Sequence, residues 1–530
     1  MTDTKENARA GQPRGDMSRR GFLQGTTAFG AALASPGIYK VIESLVKTPD
    51  RPAVATSSPS QEQYLLQNEQ VLNVNESGVY SKSGSVAVRV PTLYNQVITA
   101  KLNVPANAKA LQEAQQHLES VLQGVERKFP PTPTGVGIAI VWGLPYFQNY
   151  IPRLGTTSSF FKAGTPYPKY LPVDLQTSKT EGRTVYAVQE ARTFPSDQPP
   201  PGFGPLRLEQ NDVAVLLRSD SLANITAAAN ALFGSGSNQA GFLFKVTSMR
   251  RGFSGGGFYG GQQSLPRKMA LAAQIPGAQS IPPHSQAFLG FDTTLVSNMG
   301  PDVIANLETL PGFTDQWPDG YFKQGTTMHL SHLYEDLETW YEKGFPQYAQ
   351  RLEQMLYPGV SPAPTPGMIA LQPPGQSQAQ VADGVKRYHG YGHTGSLSVV
   401  DSTATAITSR YGEHYPAGTT IPVRGDFNTL DNPFYYTSDP TADHYSKKPA
   451  AGLHFLAFAP TSGFFNVVRL SMDGYFPGGK LALDPRSAHA GINSVLFTTH
   501  RQNYLVPPRS HRSFPLAEFL ADSTTPVVAG

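Results

Sequence analysis

Residues 135–142 (GVGIAIVW) form a run without a charged or hydrogen-bonding side chain until Trp142. They constrain the fold more than any other stretch, because they ask for a strand covered on both faces. Upstream, residues 106–128 carry Leu111, Ala114, Leu118, Val121, Leu122 and Val125 at helical spacing, and Pro130 and Pro131 end the pattern. Residues 85–90 alternate at the strand period. Beyond a Pro-, Gly- and Tyr-rich stretch at 143–205, read as a long loop, come a strand at 211–218, a helix at 222–233 with Ser219 or Asp220 as its N-cap, and a strand at 241–249. The order β-α-β, loop, β-α-β is the split pattern of a ferredoxin-like half. It predicts that residues 86–90, 135–142, 213–218 and 242–249 share one antiparallel sheet, with both helices on one face.

The second half reads less evenly. Residues 286–291 (QAFLGF) are strand-like. Residues 325–333 alternate, placing His329 with Thr327, Ser331 and Leu333 on one face and His332 on the other. Two histidines three apart in a strand are no ready metal pair. A helix is expected at 347–357 and a Pro/Gly/Gln-rich linker at 358–380. The basic stretch His500 to Arg512 reads as a surface arm, with a subunit contact or a strap over a cofactor as alternatives. The glycine-rich passage 252–261 lacks the Lys-Ser/Thr ending of a phosphate-binding loop.

Composition removes several function classes. There is no cysteine, which excludes disulfides, thiolate metal sites, thiol catalysis and haem held by a thiolate. A net charge of +3 over 530 residues gives no argument for nucleic acid. No stretch reaches the length of a membrane span. Gly (50) and Pro (46) are plentiful, yet aromatics make up 10%, which points to long ordered loops rather than disorder. Ser18-Arg19-Arg20-Gly21-Phe22-Leu23 precedes a mildly apolar run with Ala32 and Ala34. It looks like a twin-arginine export signal, so an extracytoplasmic (periplasmic or secreted) location is expected.

Three later segments stand in a definite order. GYGHTGS (390–396) holds His393 among glycines, IPVRGDFNTLDNPF (421–434) holds Arg424, and GLHFLAFAPTSGFFNVVRL (452–470) couples an apolar run to a helix-like one. Ahead of them lies Asp336-Leu337-Glu338-Thr339-Trp340. Together these resemble the dye-decolourising peroxidase family, whose members are secreted or encapsulated haem enzymes. The resemblance spans roughly residues 85–475.

The resemblance implies an α+β fold of two ferredoxin-like halves with antiparallel sheets, related to the dimeric α/β barrels and carrying long Pro/Gly-rich insertions. The corresponding division is a signal at 1–36, a lead-in at 37–84, an N-terminal half at 85–250, and a C-terminal half at 251–530 with the haem site and the arm. It implies haem b held by His393, with hydrogen peroxide and an organic electron donor as partners. Homo-oligomers are compatible with it.

His393 would be the axial ligand; the alternatives are a turn histidine and the neighbouring His389. Arg424 would polarise peroxide. Its alternative is an ion pair with Asp426 or Asp431. Asp292 would move the proton. The family's G-x-x-D-G motif reads here Leu289-Gly290-Phe291-Asp292-Thr293-Thr294, with the acid one residue early and the closing Gly replaced. The rival expectation is a haem-free binding or structural protein that keeps the fold.

Overall fold

The computed structural model describes residues 42, 63, 70–74, 83, 86–151, 171–199, 205–254, 264–283, 285, 287–290, 313–316, 320–341, 405–408, 414–415, 421–432, 449–473 and 491–521. Its frame is eight strands: β1 (Tyr94–Leu102), β2 (Gly137–Gly143), β3 (Val213–Ser219), β4 (Phe244–Phe253), β5 (Thr326–Glu335), β6 (Phe427–Thr429), β7 (Gly452–Ala459) and β8 (Leu496–Val506). They pair in the order β4-β1-β3-β2-β8-β5-β7-β6, and β6 returns to β4, so the sheet closes into a barrel with every pair antiparallel. Counted within each set of four, both halves read 4-1-3-2. Each half's second strand joins the other half's fourth. This is an α+β fold of two ferredoxin-like halves.

Alternation sorts the side chains. Val97, Ala139, Val141, Ala214, Leu216, Met328, Leu330, Leu456, Phe458, Tyr504 and Val506 fill the barrel lumen. The outer face of the first half is covered by α1 (Ala108–Lys128), α2 (Leu144–Asn149) follows β2, α3 (Leu175–Glu181) lies in the insertion, and α4 (Leu222–Phe233) packs beside α1. Among the described residues the other α-helices are α5 (Leu265–Ala272), α6 (Leu337–Tyr341) and α7 (Gly463–Met472). In α1 the six residues of the predicted stripe are all buried, together with Ala108. Asn107 caps it, its carboxamide oxygen accepting the Ala110 N–H at 2.9 Å.

Several expectations are corrected. Val86–Val90 is a strand, but it pairs with Gln70–Val74 in a separate hairpin; the first strand of the sheet is Tyr94–Leu102. Ser221, not Ser219 or Asp220, caps α4 (3.2 Å to Asn224 N), while Asp220 accepts the Leu93 N–H at 2.8 Å. Residues 287–290 form a turn rather than a strand, with Gly290 at φ 85°. The basic stretch from His500 is no surface arm, because it continues β8, and His500, Arg501 and Arg512 are buried. The helix expected at 347–357 lies outside the described residues.

The β2–β8 junction has one further element. Ile140 donates its N–H to Gln63 Oε1 at 3.0 Å, and Gln63 Nε2 donates to Ile140 O at 2.6 Å and to Pro507 O at 3.3 Å. A side-chain amide thus takes the place of a backbone peptide where β2 and β8 diverge.

Candidate functional site on the outer face of the second half

Arg424 reaches its position through strand geometry. The strand Val423–Arg424 pairs with β7 in the same register as β6, with Val423 opposite Phe458 and Phe427 opposite His454. Between them, Gly425 N–H donates to Leu456 O at 2.9 Å, and the Asp426 carboxylate accepts the Leu456 N–H at 2.7 Å. Val423 points into the lumen, so Arg424 points outward. Across the sheet the outward row runs Arg424, Ala457, His329, Asn503.

The Arg424 side chain is 19% exposed, and its one described partner is Asp426, at 4.0 Å. Asp431 is engaged elsewhere: it accepts the Arg251 N–H at 2.7 Å, and burial pushes its pKa up to about 6. Arg424 therefore holds its guanidinium four-fifths buried, with no close hydrogen bond to a described residue. Such a group is suited to an anionic or polarised oxygen.

The rest of the row is committed. His329 Nδ1 contacts Asn503 Oδ1 at 2.7 Å, and its Nε2 contacts Ser331 Oγ. The Phe465 ring of α7 stacks on it with centroids 3.3 Å apart. Burial, and then the Arg501 charge, hold this imidazole well below its usual pKa. With both nitrogens occupied, His329 has no lone pair left for iron.

The next row is an ion network that sequence reasoning missed. Arg501 makes a two-pronged contact with Asp197 (2.7 and 2.6 Å) and donates to Arg192 O at 2.8 Å; Arg469 of α7 lies 3.6 Å from Asp197 and donates to Ser196 Oγ at 2.5 Å. Burial lowers the pKa of Arg501 to about 10. The insertion read as a plain loop is thus latched over the second half, and Ser462 N–H to Ala187 O (2.7 Å) and Asn503 Nδ2 to Gln189 O (2.9 Å) add to the latch. Nothing in the spacing of Asp197 and Arg501, three hundred residues apart, announces the pair.

Two motifs quoted from the sequence are physically joined. Trp340 Nε1 donates to Leu289 O at 2.9 Å, Tyr341 OH donates to Phe288 O at 2.7 Å, and Phe288 N–H donates to Asn428 Oδ1 at 3.3 Å. The helix of the D-L-E-T-W motif therefore fixes the turn that leads to Asp292, and it fixes it against β6, four residues beyond Arg424. Asp292 and His393 themselves lie outside the described residues. Among the described residues, no group of three or more His, Cys, Asp or Glu side chains is placed to hold a metal ion.

A family described as "Family of unknown function (DUF7405)" matches residues 182–371. Among curated proteins nothing matches. Among solved structures the chain is similar to the encapsulated DyP-type peroxidase from Mycobacterium smegmatis, with 12% identity, TM-score 0.42, and coverage of 80% of this chain and 95% of that one. It is also similar to the DyP-type peroxidase from Cellulomonas bogoriensis (12%, 0.41, 81% and 94%) and to DyPB from Rhodococcus jostii RHA1 (10%, 0.40, 82% and 96%).

Proposed function

We propose that this chain is an exported, haem-dependent peroxidase of the dye-decolourising type that oxidises organic donors with hydrogen peroxide. The observation that carries the reading is Arg424: a four-fifths buried guanidinium whose one described partner, Asp426, is 4.0 Å away, and which lies four residues before the Asn428 side chain that accepts the Phe288 N–H. The donor set fits the group in this respect, since a fixed cation awaiting an oxygen is what peroxide chemistry beside a haem needs. His393 would hold the iron through an imidazole nitrogen. Haem held there would supply redox chemistry with peroxide. Arg424 would orient the peroxide and draw charge onto its far oxygen. The Asp292 carboxylate would take the proton from the near one.

Reconstitution with haemin tests the reading. A Soret band is expected from the wild type, with none from His393→Ala. Arg424→Leu should keep the band and react with peroxide roughly 100-fold more slowly, the scale of one preorganised electrostatic group. Asp292→Asn should cost about 100-fold or more. Export rests on Arg19 and Arg20: replacing both with Lys should hold the precursor in the cytoplasm, and unchanged export would remove that part of the reading.

A second reading is favoured by the filled surface beside Arg424, where Phe465 covers His329. It is a haem-free binding protein that retains the fold. No haem uptake by the wild type would select it.

A further inference from the structure

The lumen is apolar over only part of its length. At one end, His454 of β7 and His500 of β8 both stand directly opposite His332 of β5, so three imidazoles form a row across three adjacent strands. Ring centroids are 4.2 Å apart for His332 and His454, and 5.9 Å apart for His332 and His500. His454 is fully buried, and among the described residues neither of its ring nitrogens has a partner, nor has the Nε2 of buried His332.

The charged groups facing the row are few. Arg250 comes from β4, and Glu209, from the segment before β3, pairs with Arg250 and lies 3.6 Å from His500 Nδ1. β6 presents Phe427, whose ring is 4.9 Å from that of His454. Tyr504 of β8 hydrogen-bonds Gln502 at 2.9 Å, and Arg218 of β3 donates to Asn95 at 2.6 Å. Arg218 is turned to Asn95, so among the described residues the carboxylate beside the three imidazoles is Glu209 and the guanidinium is that of Arg250. The Arg250 charge beside the row opposes a metal cation, in keeping with the absence of a metal-holding group among the described residues.

The barrel is held unevenly near this row. β5 and β7 pair over eight residues, but β6 meets β4 at a single pair, Asn428 opposite Phe253. Side chains supplement it: Thr429 Oγ1 donates to Arg251 O at 2.7 Å, and Asp431 accepts from Arg251 N. This seam adjoins His454 through the Phe427–His454 cross-strand pair.

We propose that the row His500–His332–His454 is an acid-sensitive lock: uncharged imidazoles allow the barrel to close, and protons on them open it at the β4–β6 seam. A proton added to any of the three places a second cation beside Arg250 in a closed lumen, where Glu209 is already paired with Arg250. Burial, and then the neighbouring histidines and Arg250, hold the His332 imidazole well below its usual pKa; burial, Arg250 and His500 do so for His454. The opened form takes up protons that the closed form refuses, so closure is stable above about pH 6.5 and is lost as pH falls below that value. Asp431 acts in the opposite sense, since its raised pKa favours the closed form in acid. The trigger is therefore the histidines and not the seam carboxylate.

The test uses hydrogen exchange on the full chain without haem, corrected for the intrinsic effect of pH. Between about pH 7.5 and 5.5, opening at amides of β6 and β7 should rise by about tenfold in all for each proton taken up, almost all of it below about pH 6.5. His454→Gln should remove about one such factor of ten over that range, whereas His329→Gln, on the outer face, should leave that seam unchanged. If His454→Gln does not fold, His332→Gln is measured in its place. A wild-type opening that ignores pH, a slope untouched by the lumen substitution, or equal opening at β2 and β3 would each overturn the proposal.

Discussion

The two halves share a strand order and differ in what lies on it. On the first half, α1 and α4 meet the sheet through aliphatic side chains, among them Leu111, Leu118, Ile225 and Leu232, all fully buried. On the second half, the equivalent face carries His329, Asn503, Arg501 and Glu335, covered by Phe465 and the latched insertion. Topology alone thus does not decide where chemistry sits. A face packed with aliphatic side chains gains stability from every contact, whereas a face lined with ionisable ones is stable only while each is matched.

Substitutions on the two faces should therefore fail in different ways. The largest effect is expected from Asp197→Ala, which leaves Arg501 buried without its carboxylate and should cost about 3–5 kcal/mol in urea unfolding. Leu118→Ala on the first half should cost about 3 kcal/mol through the cavity alone, with no dependence on pH.

Glu335 sharpens the contrast. Its Oε2 is buried without a partner among the described residues, and burial raises its pKa from 4.5 to about 8. The folded chain keeps a proton that the unfolded chain releases, so stability is full below about pH 4.5 and falls as pH rises toward 8. Glu335→Gln should remove that slope, worth about 2 kcal/mol between about pH 6 and 7.5. The smallest effect belongs to Ser221→Ala, about 1 kcal/mol for the lost cap of α4, seen as a lowered Tm.

The apolar half of this molecule was the legible half. The α1 stripe and residues 135–142 obey the rule that buried means aliphatic, and both were read correctly. β1 (YNQVITAKL) escaped notice because Asn95 and Thr99 point into a lumen that supplies them with hydrogen bonds. β8 was read as a basic arm for the same reason: Arg501, Gln502 and Asn503 are strand residues whose partners, Asp197, Asn211 and His329, come from distant segments. Of the candidate site, the sequence singled out Arg424 by its setting, and the structure puts it opposite Ala457 on the outer face. The ties from Trp340 and Tyr341 to the turn before Asp292 were not legible, because they join the ring of one motif to the backbone of another.

The β2–β8 junction bears on how the chain is made. β2 is buried along its whole length and borders β3 on one side and β8 on the other, yet β8 begins only at Leu496. While the ribosome works through the intervening residues, the strand GIAIVWG presents an open, apolar edge that its own half cannot cover. Gln63 can engage Ile140 early, but Pro507 only at the end. The nascent chain is thus exposed to self-association until β8 has been made, and a stop codon shortly before residue 496 should yield aggregate rather than a soluble half.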